Sequence, residues 1–455
     1  MPIDFLLERF ADNLERDALV WRDRVFDYRW LLNRIDYWDA ELETRRVLGQ
    51  PVVMLEGDYS PNSLALLLAL IRRRCIVVPL TEQGRGRRDE YTDIVKAEYA
   101  LRVSDDDEVE FQRLGYDGQL PLYDRLRQDR HPALVLFSSG SAGKPKAAVH
   151  DFERLSRKFT KRRRNLRTLT FLLYDHIGGV DTLLYSLSNA SCIITVSDRS
   201  PDMVCRAVQT HAVEVLPVSP SFLNLLILSH AYERYDLSSL KVITYGAEVM
   251  PQSTLRRCHE LFPHVELLQK FGTTEVGALR SESKAPDSTW VKLGGDGCQV
   301  RVINGVLQIK AESAILGYLN APSPFTDDGW FVTGDLVEVD GDFMRILGRE
   351  TDVINVGGEK VNPAEVENVI HELEVVREVA VYGEPNAILG NVVCASASLV
   401  SSPDSTTQRA IIHQIKAHCR RRLEPYKVPI TVTLVDHHLY SERFKKIRRA
   451  VPDSP

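Results

Sequence analysis

The sequence lacks a C-x-x-C pair, a long apolar run and a strong excess of charge of either sign. Its seven cysteines are scattered at positions 75, 192, 205, 258, 298, 394 and 419. We therefore expect neither disulfides nor a zinc site, and we expect a reducing, cytoplasmic location. The longest apolar run, from Leu64 to Ile71, is far shorter than the roughly 20 residues that span a bilayer. The net charge of −6 offers no general attraction to nucleic acid.

The chain has 455 residues, of which 44% are hydrophobic and 26% charged, as in a globular protein of several domains. Helical and strand-like segments alternate over most of its first 290 residues, which predicts parallel sheets covered by helices. Short strands separated by Gly and Asp turns at 291–346 predict a small antiparallel barrel. A compact α+β unit then follows, with a helix beginning at Asn362-Pro363-Ala364-Glu365.

A loop of small residues follows an apolar strand near residue 137. It runs Ser138-Ser139-Gly140-Ser141-Ala142-Gly143-Lys144-Pro145-Lys146. Glycine lets the backbone approach an anion, serine supplies donors and lysine supplies positive charge, so the loop is suited to a nucleotide phosphate. It does not match G-x-x-x-x-G-K-[ST], because Pro145 follows Lys144. It is either a phosphate loop of another kind or an ordinary turn.

Three further blocks and one lysine follow this loop in order. They are Phe271-Gly272-Thr273-Thr274-Glu275, Gly329-Trp330-Phe331-Val332-Thr333-Gly334-Asp335, Gly348-Arg349-Glu350-Thr351-Asp352 and Lys446. In this order the motifs resemble the acyl-adenylate-forming family, which comprises acyl-CoA synthetases, adenylation domains of peptide synthetases and luciferases. The similarity extends from Asp17 to Arg449 and so covers nearly the whole chain.

The resemblance implies an α/β fold with two α/β subdomains and a small β-barrel at residues 1–348, and a mobile α+β lid at 349–455. It also implies a ligase that uses ATP and Mg²⁺ to join a carboxylic acid to AMP with release of pyrophosphate. The acyl group then passes to the thiol of coenzyme A or of a carrier-protein phosphopantetheine. Transfer to an amine or amino acid and a catalytically dead adenylate-binding protein are the alternatives.

The resemblance also assigns roles to residues that bind the nucleotide. The phosphates would lie against Ser138, Ser139, Gly140, Ser141, Gly143 and Lys146, with Ala142 where the family usually has threonine. The adenine pocket would be walled by Gly246, Ala247, Glu248, Phe271, Gly272 and Thr273. Thr274 would donate to the α-phosphate, Glu275 would ligate Mg²⁺, and Asp335 and Arg349 would hold the ribose.

Lys446 aligns with the family's catalytic lysine, which would bridge the attacking carboxylate and the α-phosphate. The surrounding segment departs from the family pattern, so Lys445 is an alternative. Thr351 stands where relatives usually carry the residue about which the lid rotates. His176 resembles the histidine at the mouth of the acyl pocket, where it either acts on the substrate or is a structural histidine. Small and apolar residues near this pocket favour a fatty or aryl acid.

A basic stretch, 157–167, is predicted to continue a helix that begins at residue 151. Its charged face is either solvated or a docking patch for an acidic carrier protein or coenzyme A.

Replacing Lys446 by alanine separates a ligase from a dead homologue. Adenylation should fall at least about 100-fold if this lysine stabilises the charge of the transition state. Pyrophosphate release is the measurement, and ATP binding is the control that should persist. An undiminished rate would remove Lys446 from the catalytic residues.

Overall fold

The computed structural model describes residues 3–139, 144–295, 297–401, 404–441 and 446–447. The α-helices are α1 Asp4–Ala11, α2 Tyr28–Thr44, α3 Pro61–Arg72, α4 Arg88–Val95, α5 Pro121–Asp129, α6 Phe152–Ser156, α7 Ile177–Ser188, α8 Pro201–His211, α9 Pro220–Ser229, α10 Gln252–Leu261, α11 Pro363–Ile370 and α12 Ser405–Arg422. The strands are β1 Asp17–Trp21, β2 Arg24–Asp27, β3 Val52–Glu56, β4 Ile76–Leu80, β5 Tyr99–Val103, β6 Val109–Arg113, β7 Ala133–Ser139, β8 Pro145–Asp151, β9 Thr168–Leu169, β10 Ile193–Ile194, β11 Val215–Val218, β12 Val242–Tyr245, β13 Glu266–Gln269, β14 Gly272–Thr273, β15 Gly277–Ala278, β16 Ser281–Ser283, β17 Trp290–Leu293, β18 Cys298–Ile303, β19 Val306–Ala311, β20 Gly317–Tyr318, β21 Phe331–Asp340, β22 Phe343–Arg349, β23 Ile354–Val356, β24 Glu359–Val361, β25 Val376–Asn386, β26 Gly390–Leu399 and β27 Thr431–Leu434.

Two seven-stranded sheets form the large N-terminal region. Their strand orders are β20-β8-β7-β4-β3-β5-β6 and β13-β12-β11-β9-β10-β1-β2. Their central strands are parallel and at least one edge of each is antiparallel. One apolar core joins residues of α3, α7 and both sheets. The α/β prediction with two subdomains is therefore confirmed.

Helix α3 lies inside that shared core. Every residue from Pro61 to Ile71 is buried, so the helix is buried on all sides and not on one face only. Its start is encoded locally, because Ser60 and Ser63 cap each other and proline occupies the first helical position.

The third sheet is antiparallel, with the order β16-β17-β22-β21-β19-β18. Its short strands agree with the sequence prediction. In the described part of the chain the edge strands β16 and β18 do not pair with each other, so closure into a small barrel is not confirmed.

The smaller C-terminal unit packs α11 and α12 against the sheet β24-β23-β26-β25, to which β27 adds in parallel on β26. Helix α11 begins as its sequence predicts, because the Asn362 side chain accepts a hydrogen bond from the Ala364 N–H at 3.0 Å. The boundary at residues 348 and 349 stays a prediction.

The predicted helix over 151–167 is wrong beyond its first turns. Helix α6 ends at Ser156 and a single 3₁₀ turn follows at Arg157–Phe159. Three of the four arginines beyond that turn pair with acids that are distant in sequence: Arg162 with Asp12, Arg164 with Glu266 and Arg167 with Asp17. Mutual repulsion among cations three and four positions apart disfavours a helix, and these tertiary pairs favour an irregular path.

None of the helices in the described ranges is long and apolar enough to cross a membrane.

Because α3 lies at the centre of the core, a substitution that leaves a cavity there should lower the stability of the protein strongly. Leu66 is completely buried, so Leu66→Ala should lower the free energy of unfolding of the N-terminal region by about 2–5 kcal/mol. Urea denaturation followed by circular dichroism measures the change. Ile388→Ala is the control, because this side chain is 91% exposed and its loss should change stability by less than about 0.5 kcal/mol. Equal effects of the two substitutions would contradict the assignment of α3 to the core.

Candidate active site

A pocket of about 240 Å³ lies where the N-terminal region, the third sheet and the C-terminal unit meet, and we call it the junction pocket. It gathers eight of the residues singled out from the sequence: Ala247, Glu248, Phe271, Gly272, Thr273, Asp335, Arg349 and Lys446. These residues are separated by up to 199 positions, so the sequence motifs converge only in the folded chain.

Asp335 and Arg349 form the ion pair of this pocket. They are cross-strand partners on β21 and β22, and Arg349 Nε lies 2.7 Å from Asp335 Oδ1. Arg349 also donates to the Thr333 carbonyl oxygen at 3.0 Å. Asp335 is only 7% exposed, and this burial raises the pKa of its carboxyl to about 6 although Arg349 acts in the opposite direction. A carboxylate with two acceptor oxygens is suited to a vicinal diol.

Lys446 connects the C-terminal unit to the N-terminal region. Its Nζ lies 2.9 Å from Oε2 of Glu367, a nearly fully buried residue of α11, while its backbone N–H donates to the Glu248 carboxylate. Burial and the nearby Lys446 lower the pKa of His371 to about 3, against the opposing effect of Glu367. The catalytic role of Lys446 stays a prediction, and its alternative, Lys445, lies outside the described residues.

The strands that flank the predicted phosphate loop are adjacent. Ser138 on β7 and Lys146 on β8 are direct cross-strand partners, so both lie at the base of the loop. The backbone of Ser139 belongs to the same ladder. Gly140, Ser141 and Gly143 lie outside the described residues, and their phosphate contacts remain predictions.

A tyrosine links this loop to the predicted Mg²⁺ ligand. The Tyr318 hydroxyl donates to Glu275 Oε1, and the Lys146 ammonium lies 5.3 Å from the centroid of the Tyr318 ring. Burial and Glu275 raise the pKa of Tyr318 well above its ordinary value, which keeps the hydroxyl a donor. The neighbouring Thr274 is buried.

A larger cavity of about 1100 Å³ lies between α7 and one face of the second sheet, and we call it the α7 cavity. Gly178, Asp181, Thr182 and Tyr185 line it from the helix at i, i+3, i+4 and i+7. From the sheet, residues of three strands and of the turns that follow them line it, including Val215, Pro217 and Ser219, Val242, Thr244 and Gly246, and Glu266, Leu268 and Lys270.

His176 lines the α7 cavity and also caps α7. Its Nδ1 accepts a hydrogen bond from the Gly178 N–H at 3.1 Å, so Nε2 carries the proton in the neutral ring. The structure therefore shows a structural role for this histidine. A role toward substrate stays a prediction.

The two cavities share a wall formed by Ala247, Lys270, Phe271 and Gly272. Gly246 permits this arrangement, because a Cβ at that position would lie 2.4 Å from the Lys270 carbonyl oxygen. Phe271 is 8% exposed and also contributes to the core of the third sheet. A group in one cavity can thus lie next to a group in the other.

Sequence reasoning missed Lys270 and Tyr318. Lys270 directly precedes the Phe271 motif and lies two positions after Leu268 of β13. Because side chains two positions apart lie on the same face of a strand, the sequence could have predicted that Lys270 faces the cavity with Leu268. Tyr318 carried no local signal, because its relation to Glu275 arises from the pairing of β20 with β8.

Comparison with known proteins identifies the class. Residues 48–306 match the AMP-binding enzyme family, and residues 365–444 match the AMP-binding enzyme C-terminal domain. The chain belongs to this family of acyl-adenylate-forming enzymes, as its motifs predicted. It is an AMP-forming acid–thiol ligase.

Individual relatives are similar over much of the chain. The indoleacetate–CoA ligase of Aromatoleum aromaticum is 25% identical over 474 residues, covering 92% of this chain and 91% of that protein. The 2-succinylbenzoate–CoA ligase of Bacillus cytotoxicus is 27% identical over 340 residues, covering 69% of this chain and 68% of that protein. The crystal structure of the anthranilate CoA ligase AuaEII with anthranoyl-AMP has the same fold, with a TM-score of 0.82 at 19% identity, covering 98% of this chain and 95% of that one.

The raised pKa of Asp335 predicts a pH-dependent contribution to stability. Between about pH 4 and 6 the folded protein holds this proton more tightly than the unfolded chain does, so the contribution favours folding at low pH and is lost as the pH rises through 6. Over this interval the free energy of unfolding of the wild type should fall by at most about 1.4 kcal/mol per pH unit because of this group, and Asp335→Asn should not show that fall. Urea denaturation of both proteins from pH 4 to 7 measures the difference. Parallel profiles would show that burial does not shift this carboxyl.

Proposed function

We propose that this enzyme adenylates an aryl carboxylic acid with ATP and transfers the acyl group to coenzyme A. The single observation that carries the proposal is the shared wall, at which the junction pocket, containing Asp335, Arg349 and Lys446, adjoins the α7 cavity, whose volume of about 1100 Å³ would accommodate an aryl acid. The names of the relatives, which include indoleacetate, 2-succinylbenzoate and anthranilate CoA ligases, support an aryl acid and a CoA acceptor.

In the proposed binding mode the adenine lies against Phe271, with Gly246, Ala247, Glu248, Gly272 and Thr273 around it. Asp335 accepts hydrogen bonds from the two ribose hydroxyls, and Arg349 holds Asp335 in place through the 2.7 Å contact. Ser138 and Lys146 lie at the base of the loop that binds the β- and γ-phosphates. The acid enters the α7 cavity with its reacting carboxylate toward Phe271 and Gly272 of the shared wall, next to the junction pocket.

The reaction begins when a carboxylate oxygen attacks the α-phosphorus and the bond to pyrophosphate breaks. Two anions meet in this step, and unit charges about 4 Å apart repel by about 4 kcal/mol at an effective dielectric near 20. Lys446, released from Glu367, and the Thr274 hydroxyl offset this repulsion. In the second step the acceptor thiolate attacks the acyl carbon and AMP leaves.

Glu275 is the proposed Mg²⁺ ligand. The described residues contain no group of three or more ligating side chains that could hold a metal alone, and Mg²⁺ commonly binds one carboxylate together with substrate phosphates. Glu275 therefore fits as a partial ligand, oriented by the Tyr318 hydroxyl. The ion would neutralise charge on the phosphates.

Coenzyme A is preferred here to a carrier protein because the similar proteins named above are CoA ligases. The basic stretch that suggested a docking patch for either acceptor is largely paired within the chain, through Arg157 with Glu312, Lys158 with Asp181, and the three arginine pairs described above. A thiol acceptor still requires the C-terminal unit to move, with Thr351 as the proposed hinge.

The proposal is tested by pyrophosphate release with ATP and Mg²⁺ across aryl, fatty and amino acids, with hydroxylamine trapping the adenylate. Release should be confined to aryl acids. Coenzyme A should then yield the thioester, while an acyl carrier protein or free amines should not accept the acyl group. Preference for a fatty or amino acid, or for an amine acceptor, would overturn the proposal.

A further inference from the structure

We propose that Lys270 selects acids that carry a second carboxylate, by pairing its ammonium with that group inside the α7 cavity. This inference rests on the proposed function, because it assigns the acid to that cavity.

The position of Lys270 follows from strand geometry. Glu266, Leu268 and Lys270 alternate along β13 and the residue after it, and all three line the α7 cavity. Lys270 is half-buried, and its backbone is held between β12 and Phe271 by a hydrogen bond of 2.7 Å from its N–H to the Tyr245 carbonyl oxygen. Its side chain is therefore attached to a rigid part of the wall.

Within the described ranges, the Lys270 ammonium makes no hydrogen bond or ion pair. Two nearby cations differ in this respect. Lys158 pairs with Asp181 and donates to the Ala278 carbonyl oxygen at 2.7 Å, and Arg164 lies 3.4 Å from Glu266. A half-buried ammonium without a partner costs stability, and an anionic ligand would recover that cost.

The charged groups around the Lys270 ammonium belong to the α7 cavity. Burial lowers the pKa of the Lys270 ammonium. The negative charges of Asp181 and Glu266 oppose this shift, and the positive charges of Lys158 and Arg163 add to it. Asp181, Arg163 and Glu266 line the α7 cavity and not the junction pocket. Lys270 lines both cavities as part of the shared wall, and its charged neighbours lie on the α7 side of that wall.

The cavity as a whole is complementary to an anion. Its lining includes six basic side chains, Arg163, Arg164, Arg199, Lys270, Arg280 and Lys284, against the four acids Asp175, Asp181, Glu266 and Glu282. The two acids nearest Lys270 already have cationic partners, so the second carboxylate of a substrate would be the missing counter-charge.

The test compares three acids with one frame: phenylacetate, 4-carboxyphenylacetate and the neutral 4-carbamoylphenylacetate. Wild-type kcat/KM for pyrophosphate release should be at least about tenfold higher with the dicarboxylate than with the amide, as expected for a charge-assisted pair. Lys270→Met should abolish this preference, so that kcat/KM falls at least about tenfold more with the dicarboxylate than with phenylacetate or the amide. Lys270→Arg should keep part of the preference.

Lys292→Met is the matched control, because this lysine lies on the third sheet, pairs with Asp342 and lines neither cavity. It should leave the preference unchanged. Circular dichroism verifies folding of each variant, and Lys270→Gln replaces Lys270→Met if the latter does not fold.

Two results would overturn the inference: no preference for the dicarboxylate in the wild type, or an equal loss with all three acids in Lys270→Met, which would place Lys270 at the reacting carboxylate. Calorimetric titration of the acids into the protein without ATP separates failure of this inference from failure of the proposed function. If no acid releases pyrophosphate, tighter binding of 4-carboxyphenylacetate that is lost in Lys270→Met would still support the charge pair, and equal binding of the acids would reject it.

Discussion

The close approach of two backbone turns, after β12 and after β13, is the constraint on which the site depends. At Gly246 a Cβ would lie 2.4 Å from the Lys270 carbonyl oxygen, so only glycine allows the turns to pack in this way. Parallel strands bring both turns to the same edge of the sheet. The residues that follow these turns form the wall between the junction pocket and the α7 cavity. Without this contact, the two cavities would have no common boundary.

Buried charge is the second organising feature. The Asp335 carboxylate is held in a nearly inaccessible position by Arg349, Lys446 is held by the buried Glu367, and Lys270 has no protein partner within the described ranges. Isolated charges destabilise a folded protein, and opposing charges on a ligand recover the lost energy. Of these three groups only Lys270 lacks a partner in the described ranges, so it is the group at which an anionic ligand would recover stability.

Local patterns predicted much of the fold. The capped start of α3 and the Asn362 cap of α11 require only neighbouring residues, so they were readable directly. The motif residues Phe271, Asp335, Arg349 and Lys446 were identified by their order along the chain, and the fold confirms that they meet. The prediction of a helix over 151–167 was wrong because arginines of this stretch pair with Asp12, Asp17 and Glu266. These acids are too distant in sequence for a local pattern to reveal the pairing. Closure of the third sheet also depends on edge pairing, which strand periodicity does not encode.

The sequence by itself determined the α/β class, the family and the identity of most candidate residues, because these follow from periodicity, caps and ordered motifs within short segments. The tertiary structure alone decided which of those residues share a cavity. It also placed Tyr318 beside Glu275 and Lys270 in the wall of the α7 cavity. These relations depend on the pairing of β20 with β8 and on the face of β13 turned toward α7, which are contacts between segments far apart in sequence.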